Sequence, residues 1–97
     1  MNNEQKLELF NKLVRVVRPA FYDYKEVPSL DVELKNTGLD SLDMVMMGIY
    51  LSTIYGVPER IASEFAPETI NQLFKLMDAN RTQDPPATVA EALEMVQ

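Results

Sequence analysis

The sequence contains no cysteine, histidine or tryptophan. Without cysteine the chain can form no disulfide and offers no thiolate nucleophile. Zinc sites built on Cys or His are excluded, and so is a Ser-His-Asp triad. Because these absences remove most of the familiar hydrolytic chemistry, we expect a protein that is not an enzyme and binds no metal.

Basic residues are also few, since 9 Lys and Arg stand against 15 Asp and Glu and give a net charge of −6. An acidic surface repels the phosphate backbone of DNA and RNA, so nucleic acid is not an expected partner. The same charge suits contact with basic patches on other proteins. The charge balance therefore favours protein partners.

Long apolar runs are missing too. The longest uncharged run covers residues 44–58 and is interrupted by Gly48 and Gly56. A membrane-spanning helix needs ~20 consecutive apolar residues, so we expect no membrane span. The first residues, MNNEQKLELF, mix charged and apolar side chains and do not resemble a secretory signal. We expect a soluble, cytoplasmic protein.

Apolar periodicity predicts two helices in the first part of the chain. In EQKLELFNKLVRVVRP the apolar residues recur every third or fourth position, which predicts a helix from Glu4 to Arg18 that ends at Pro19. SLDMVMMGIYLSTIYG predicts a second helix that begins at Ser41 and ends at Gly56. The second helix is apolar on nearly every side, so it is either central or offers part of its surface to a partner.

The connection between these helices is long and irregular, but it carries apolar residues throughout. We therefore expect residues 20–40 to pack against the helices. PERIASEFAP predicts a short helix, and PETINQLFKLMDANR predicts a third main helix with a capping box from Thr69 to Gln72. After two prolines, the tail predicts a short amphipathic helix with a capping box from Thr88 to Glu91.

These elements predict an all-α fold, because no segment shows the alternation of a strand. Three main helices and a short one would form a four-helix bundle over residues 1–80, with a long first loop. Residues 81–97 would form a C-terminal extension with its own helix. From sequence this extension has three possible placements: packed across the bundle, in a dimer contact, or free.

The motif GLDSLD, residues 38–43, lies where the long loop enters the second helix. Asp40 and Ser41 are residue types favoured at helix N-caps, and Asp43 in the first turn favours the helix dipole. The residues alone therefore allow a purely structural reading of Ser41 as a cap. Taken alone, the residues favour this structural reading. A functional reading, in which an exposed hydroxyl at a helix N-terminus is a point of chemical attachment, needs further signals.

With this motif the sequence resembles the acyl carrier protein family, in which an Asp-Ser-Leu motif, usually preceded by Gly-x, carries 4′-phosphopantetheine on the serine. The resemblance continues beyond the motif. An aromatic residue and a proline turn end the helix at residues 55–58, and Thr69-Ile70 follows the serine by about 28 residues, as the family's last helix does. The resemblance covers residues 4–80 and leaves the tail outside.

The resemblance implies that Ser41 receives 4′-phosphopantetheine from a phosphopantetheinyl transferase and then carries acyl groups as thioesters. Asp40 would help to position the transferase's metal or basic side chains. Leu42 would anchor the first turn of the helix in the core and so hold Ser41 outward. The implied partners are the transferase and the synthases that load and process the acyl chain.

The second helix departs from the family where partner enzymes usually recognise several glutamates. Here Asp43 is followed by no charge until Glu59. We therefore expect partner contacts to be more apolar and to involve Asp43, Met44, Met46 and Met47, since methionine suits adaptable surfaces. This departure favours a specialised fatty-acid, polyketide or other secondary lipid pathway.

A glycine in a helix interior lowers stability by roughly 1 kcal/mol relative to alanine, so Gly48 requires a structural explanation. Close packing of a neighbouring helix is the favoured explanation, and room for a bound acyl chain is the alternative.

Two other functions fit the same sequence. A stand-alone peptidyl or aminoacyl carrier would share the fold and the serine, and such carriers often have a less acidic second helix. An unmodified helical adaptor would use Ser41 only as a cap and would bind a protein through its methionine-rich surface.

Overall fold

The architecture was obtained as a computed structural model that describes residues 1–97. It contains five α-helices and no β-strand, so the prediction of an all-α fold is confirmed. A single 3₁₀ turn, Leu34–Asn36, lies in the long loop. The helices are α1 (Asn3–Val17), α2 (Ser41–Tyr55), α3 (Glu59–Ala62), α4 (Ile70–Asn80) and α5 (Val89–Glu94).

Helix α1 begins at a reciprocal cap and buries one face. The Asn2 side chain accepts a hydrogen bond from the Gln5 amide, and the Gln5 side chain accepts one from the Asn2 amide. Phe10, Leu13 and Val14, which recur at helical spacing, are fully buried, and so is Leu9 beside them.

The long loop is held to α1 by one buried side chain, Asn11. Its Oδ1 atom accepts hydrogen bonds from the Tyr24 hydroxyl at 2.6 Å and the Val27 amide at 2.9 Å. Its Nδ2 atom donates to the Val27 carbonyl at 3.3 Å. The loop residues Val27, Leu30 and Leu34 are buried in the core, so the expectation that the loop packs against the helices is confirmed.

The same loop supplies hydrogen bonds to the start of α4. The amides of Ile70 and Asn71, which have no acceptor within their own helix, donate to the carbonyls of Val32 and Leu30. Thr69 caps α4 through the Gln72 amide as predicted. The Gln72 side chain, however, accepts from the Glu68 amide, so the reciprocal half of the box is displaced by one residue.

The end of α2 is covered by the segment that follows α4. Helix α2 ends at Gly56, whose left-handed φ of 68° permits the turn that closes the helix. The Gln83 side chain then donates to the carbonyls of Thr53 and Ile54 at 3.2 and 3.1 Å. These two carbonyls lack a hydrogen-bond donor within α2, so a side chain from a distant part of the sequence supplies it.

The tail packs across the bundle. Thr88 caps α5 by accepting a hydrogen bond from the Glu91 amide. Helix α5 lies against α1, where Val89 and Ala92 are buried within the same hydrophobic core as the other helices.

No helix of the structure combines the length and the apolar character that crossing a membrane requires. The most deeply buried tyrosine is Tyr55, which lies edge-on to the Phe74 ring with ring centroids 6.3 Å apart. Burial raises the pKa of both Tyr24 and Tyr55, so these phenols stay neutral at ordinary pH.

Candidate functional site

The turn before α2 is a fixed structure. Gly38 has a φ of +86°, a left-handed conformation that glycine adopts without strain. A Cβ atom there would lie 2.9 Å from the Phe21 ring, so the close approach of the ring also requires glycine. The Thr37 hydroxyl donates to the Leu34 carbonyl at 2.7 Å, and the Leu39 side chain is buried. These contacts hold the loop in one conformation where it enters α2.

Helix α2 is capped by two carboxylates rather than by the serine. Asp40 is the N-cap residue, and its Oδ1 atom accepts from the Asp43 amide at 2.8 Å. The Asp43 Oδ2 atom accepts from the Asp40 amide at 3.2 Å and lies 3.4 Å from the Arg18 guanidinium. Because Asp40 caps the helix, the reading of Ser41 as the cap is wrong.

Ser41 is the first residue of α2, and its side chain is exposed. Its hydroxyl takes no part in the capping hydrogen bonds of Asp40 and Asp43. Ser41 is thus a free, accessible hydroxyl at the N-terminus of a helix. The carboxylates of Asp40 and Asp43 already supply the negative charge that this end of the helix favours.

The expectation that Leu42 anchors the first turn in the core is wrong, because 70% of its surface is exposed. The turn is anchored instead by Leu39 before it and by Met47 within α2, both of which are buried. Leu42, Val45 and Ile49 follow one another along a single face of α2 and are all exposed. We call these three residues the apolar ridge.

Of the residues expected to contact partners, some are buried in the structure and others are half-buried. Met47 is fully buried and contributes to the core rather than to the surface. Asp43 is only 8% exposed, and its carboxylate is engaged by Asp40 and Arg18, so it acts within the cap. Met44 and Met46 are half-buried. The apolar ridge, which these predictions missed, is the larger exposed surface.

A cavity of about 450 Å³ lies between α2, α3 and α4. Of its 14 lining residues, 9 are hydrophobic, so it suits an apolar ligand. Met44 and Val45, which line it, are three and four positions from Ser41 and share its face of the helix. Its lining residues on α2 are Met44, Val45, Gly48, Ile49 and Ser52.

Gly48 faces open space within this cavity. A Cβ atom at this position would meet no atom within 4 Å other than its own helix and chain neighbours. The favoured explanation, close packing of a neighbouring helix, is therefore wrong. The glycine instead enlarges the cavity beside α2.

Replacing Gly48 with alanine should increase the free energy of unfolding by about 0.5–1 kcal/mol, because alanine favours the helix and nothing obstructs its methyl group. Urea denaturation measures the change. Gly56→Ala is the matched control with the opposite sign, since its φ is positive and its Cβ would lie 2.6 Å from the Thr82 hydroxyl. A loss of stability in Gly48→Ala would contradict the open cavity.

The structure has no group of three or more Asp and Glu side chains arranged to hold a metal ion. The tyrosines with a raised pKa belong to the core and not to the turn before α2. The site presents an exposed hydroxyl, and a mostly hydrophobic cavity lies beside the same helix.

Comparisons with family models, curated proteins and solved structures found no match to this chain.

Proposed function

We propose that this protein is an acyl carrier whose Ser41 hydroxyl accepts 4′-phosphopantetheine. The observation that carries the proposal is the exposed, uncommitted hydroxyl at the first residue of α2, on the face of the helix that leads to the apolar cavity. The motif GLDSLD supplies the family resemblance, and the geometry of the site fits it.

The residues present suit the group. Asp40 and Asp43 complete the cap between themselves, so modification of Ser41 would break no hydrogen bond of the cap. The first-turn N–H groups would lie next to the phosphodiester. When bound, the arm's terminal thiol holds an acyl group as a thioester. The chain itself provides no general base at Ser41, so a phosphopantetheinyl transferase would catalyse the attachment.

The cavity supports an alkyl chain as cargo, because most of its lining is hydrophobic. An alkyl chain gains free energy on entering such a space. The one charged lining residue is Glu59, whose carboxylate would pair with the amine of an aminoacyl group, so a loading assay with both cargoes distinguishes the two carrier types. The cavity volume of about 450 Å³ lies within the usual range for small-molecule sites.

The carrier bundle would consist of α1, α2, α4 and the short α3. Partner synthases would approach Ser41 over the apolar ridge, because Leu42 and Val45 are the large exposed side chains nearest to it. This apolar surface supports assignment to a specialised fatty-acid, polyketide or other secondary lipid pathway.

The proposal is tested by incubating the purified protein with coenzyme A and a broad-specificity phosphopantetheinyl transferase. Intact-protein mass spectrometry should show the gain of one phosphopantetheine. A known carrier treated in parallel shows that the transferase is active. No gain beside a fully modified control would contradict the carrier function and would favour the adaptor, with the apolar ridge as its binding surface.

A further inference from the structure

Arg18 joins three parts of the chain at the turn that presents Ser41. It is the residue at which α1 ends, and its guanidinium carbon lies 4.8 Å from the centroid of the Phe21 ring in the long loop. The Phe21 ring approaches Gly38 closely, and the same guanidinium lies 3.4 Å from the Asp43 carboxylate at the start of α2. Arg18 therefore has a defined place beside the turn, although 46% of its side chain is exposed.

This turn carries two negative charges and a single positive one. Asp40 and Asp43 cap α2 with their carboxylates, and Ser41 lies between them in sequence. Of the 9 basic residues in the chain, only Arg18 forms an ion pair with either carboxylate. Before any modification, the turn already has more negative than positive charge.

A phosphodiester on Ser41 would bring a further negative charge to the turn. Like charges at short range raise the free energy of the folded protein unless a cation accompanies them. The guanidinium of an arginine has five N–H donors, and the contact between Arg18 and Asp43 uses one of them. Arg18 can therefore serve a second anion without giving up the first.

We propose that Arg18 offsets the negative charge that modification of Ser41 brings to the turn, and so keeps the modified turn as stable as the unmodified one. Arg18 is a positioning residue, since it takes no part in forming the ester bond. The inference rests on the carrier function proposed above and adds a residue outside the GLDSLD motif to its site. Without Arg18, modification would place three anionic groups at the start of α2 with no paired cation.

The test measures how modification changes stability with and without Arg18. Each protein is studied untreated and after treatment with coenzyme A and a phosphopantetheinyl transferase, and intact-protein mass spectrometry establishes complete modification. Urea denaturation at low ionic strength gives the unfolding equilibrium constant of both forms. The readout is the constant of the modified form divided by that of the unmodified form, which we call the modification ratio. A purely structural role of Arg18 would change both constants equally and leave the ratio unchanged.

In Arg18→Gln the modification ratio should be about two- to fivefold larger than in the unaltered protein, which is the effect typical of one charge pair at an exposed position. Arg18→Lys keeps the charge and should have the ratio of the unaltered protein. The increase in Arg18→Gln should vanish in about 1 M sodium chloride, where charges more than ~3 Å apart are largely screened.

The matched control is Arg15→Gln, which removes the same charge one turn earlier in α1. The Arg15 guanidinium carbon lies 6.0 Å from the centroid of the Tyr24 ring, and Arg15 forms no ion pair with a carboxylate. This variant changes the net charge of the protein as Arg18→Gln does. Its modification ratio should equal that of the unaltered protein.

The outcomes separate the two proposals. If modification succeeds but Arg18→Gln has the ratio of the unaltered protein, the inference about Arg18 is overturned and the carrier function stands. An equal increase in Arg15→Gln, or an increase that persists in the concentrated salt, overturns the inference as well. Failure to modify any of these proteins beside an active control carrier overturns both proposals together.

Discussion

Replacing Ser41 with alanine should abolish the gain of phosphopantetheine completely and leave the fold unchanged. The substitution removes the hydroxyl that would form the phosphate ester. It should change the free energy of unfolding by less than about 0.5 kcal/mol, because the side chain is exposed and Asp40 supplies the cap. Intact-protein mass spectrometry measures the modification, and urea denaturation measures the stability.

The matched control for this prediction is Ser63→Ala. Ser63 is also exposed and follows a short helix, but it lacks the capped turn that presents Ser41. The control should be modified to the same extent as the unaltered protein. Full modification of Ser41→Ala would contradict the assignment of the attachment site.

Replacing Asn11 with alanine should lower the free energy of unfolding by about 3–4 kcal/mol, because it leaves buried polar groups unsatisfied. Asn11 is 6% exposed and holds the Tyr24 hydroxyl and both backbone groups of Val27. Such a loss would be a large part of the stability of a domain of this size, which is typically 5–15 kcal/mol. Urea denaturation measures the change.

Two controls isolate the contribution of the Asn11 hydrogen bonds. Asn3→Ala, at an exposed position in the same helix, should change stability by about 0.5 kcal/mol or less. Tyr24→Phe removes one of the bonds while Asn11 keeps its bonds to Val27, so it should cost about 1 kcal/mol. An effect of Asn11→Ala no larger than that of Asn3→Ala would show that Asn11 does not hold the loop.

The ends of the helices could be predicted because the sequence carries their signals locally. The predicted start of α2 at Ser41 and its end at Gly56 match the structure. Asp40 caps the start of the helix, and the left-handed conformation of Gly56 closes its end. The predicted bounds of α1, Glu4 to Arg18, differ from Asn3–Val17 by a single residue at each end. Caps, prolines and glycines act over a few residues, so a single sequence suffices to locate them.

The orientation of α2 could not be predicted, because the helix is apolar on nearly every side. Where polar residues mark one face, periodicity identifies the buried side, but here Leu42 and Met47 look equally suited to the core. The structure exposes the first and buries the second. The cavity depends on that orientation, and Gly48 was its one local signal, through the alternative explanation of room for a bound acyl chain.

Contacts between distant parts of the chain could not be predicted from the sequence either. Gln83 completes the end of α2, and the Gln5 side chain donates to the Ala87 carbonyl at 2.9 Å. Gln83 belongs to no motif, and Gln5 belongs only to the local cap of α1. Each of these bonds joins residues far apart in sequence. Asn11 did leave a local signal, as a polar residue between Leu7 and Val14 on an apolar face, and that signal was overlooked.

The carrier function requires the arm to be attached to the exposed hydroxyl at the start of α2. Fragmentation of proteolytic peptides from the modified protein locates the arm, because the chain has only four serines: Ser29, Ser41, Ser52 and Ser63. We expect the added mass on Ser41 alone. Its location on any other residue, or its absence from a protein treated with an active transferase, would contradict attachment at Ser41.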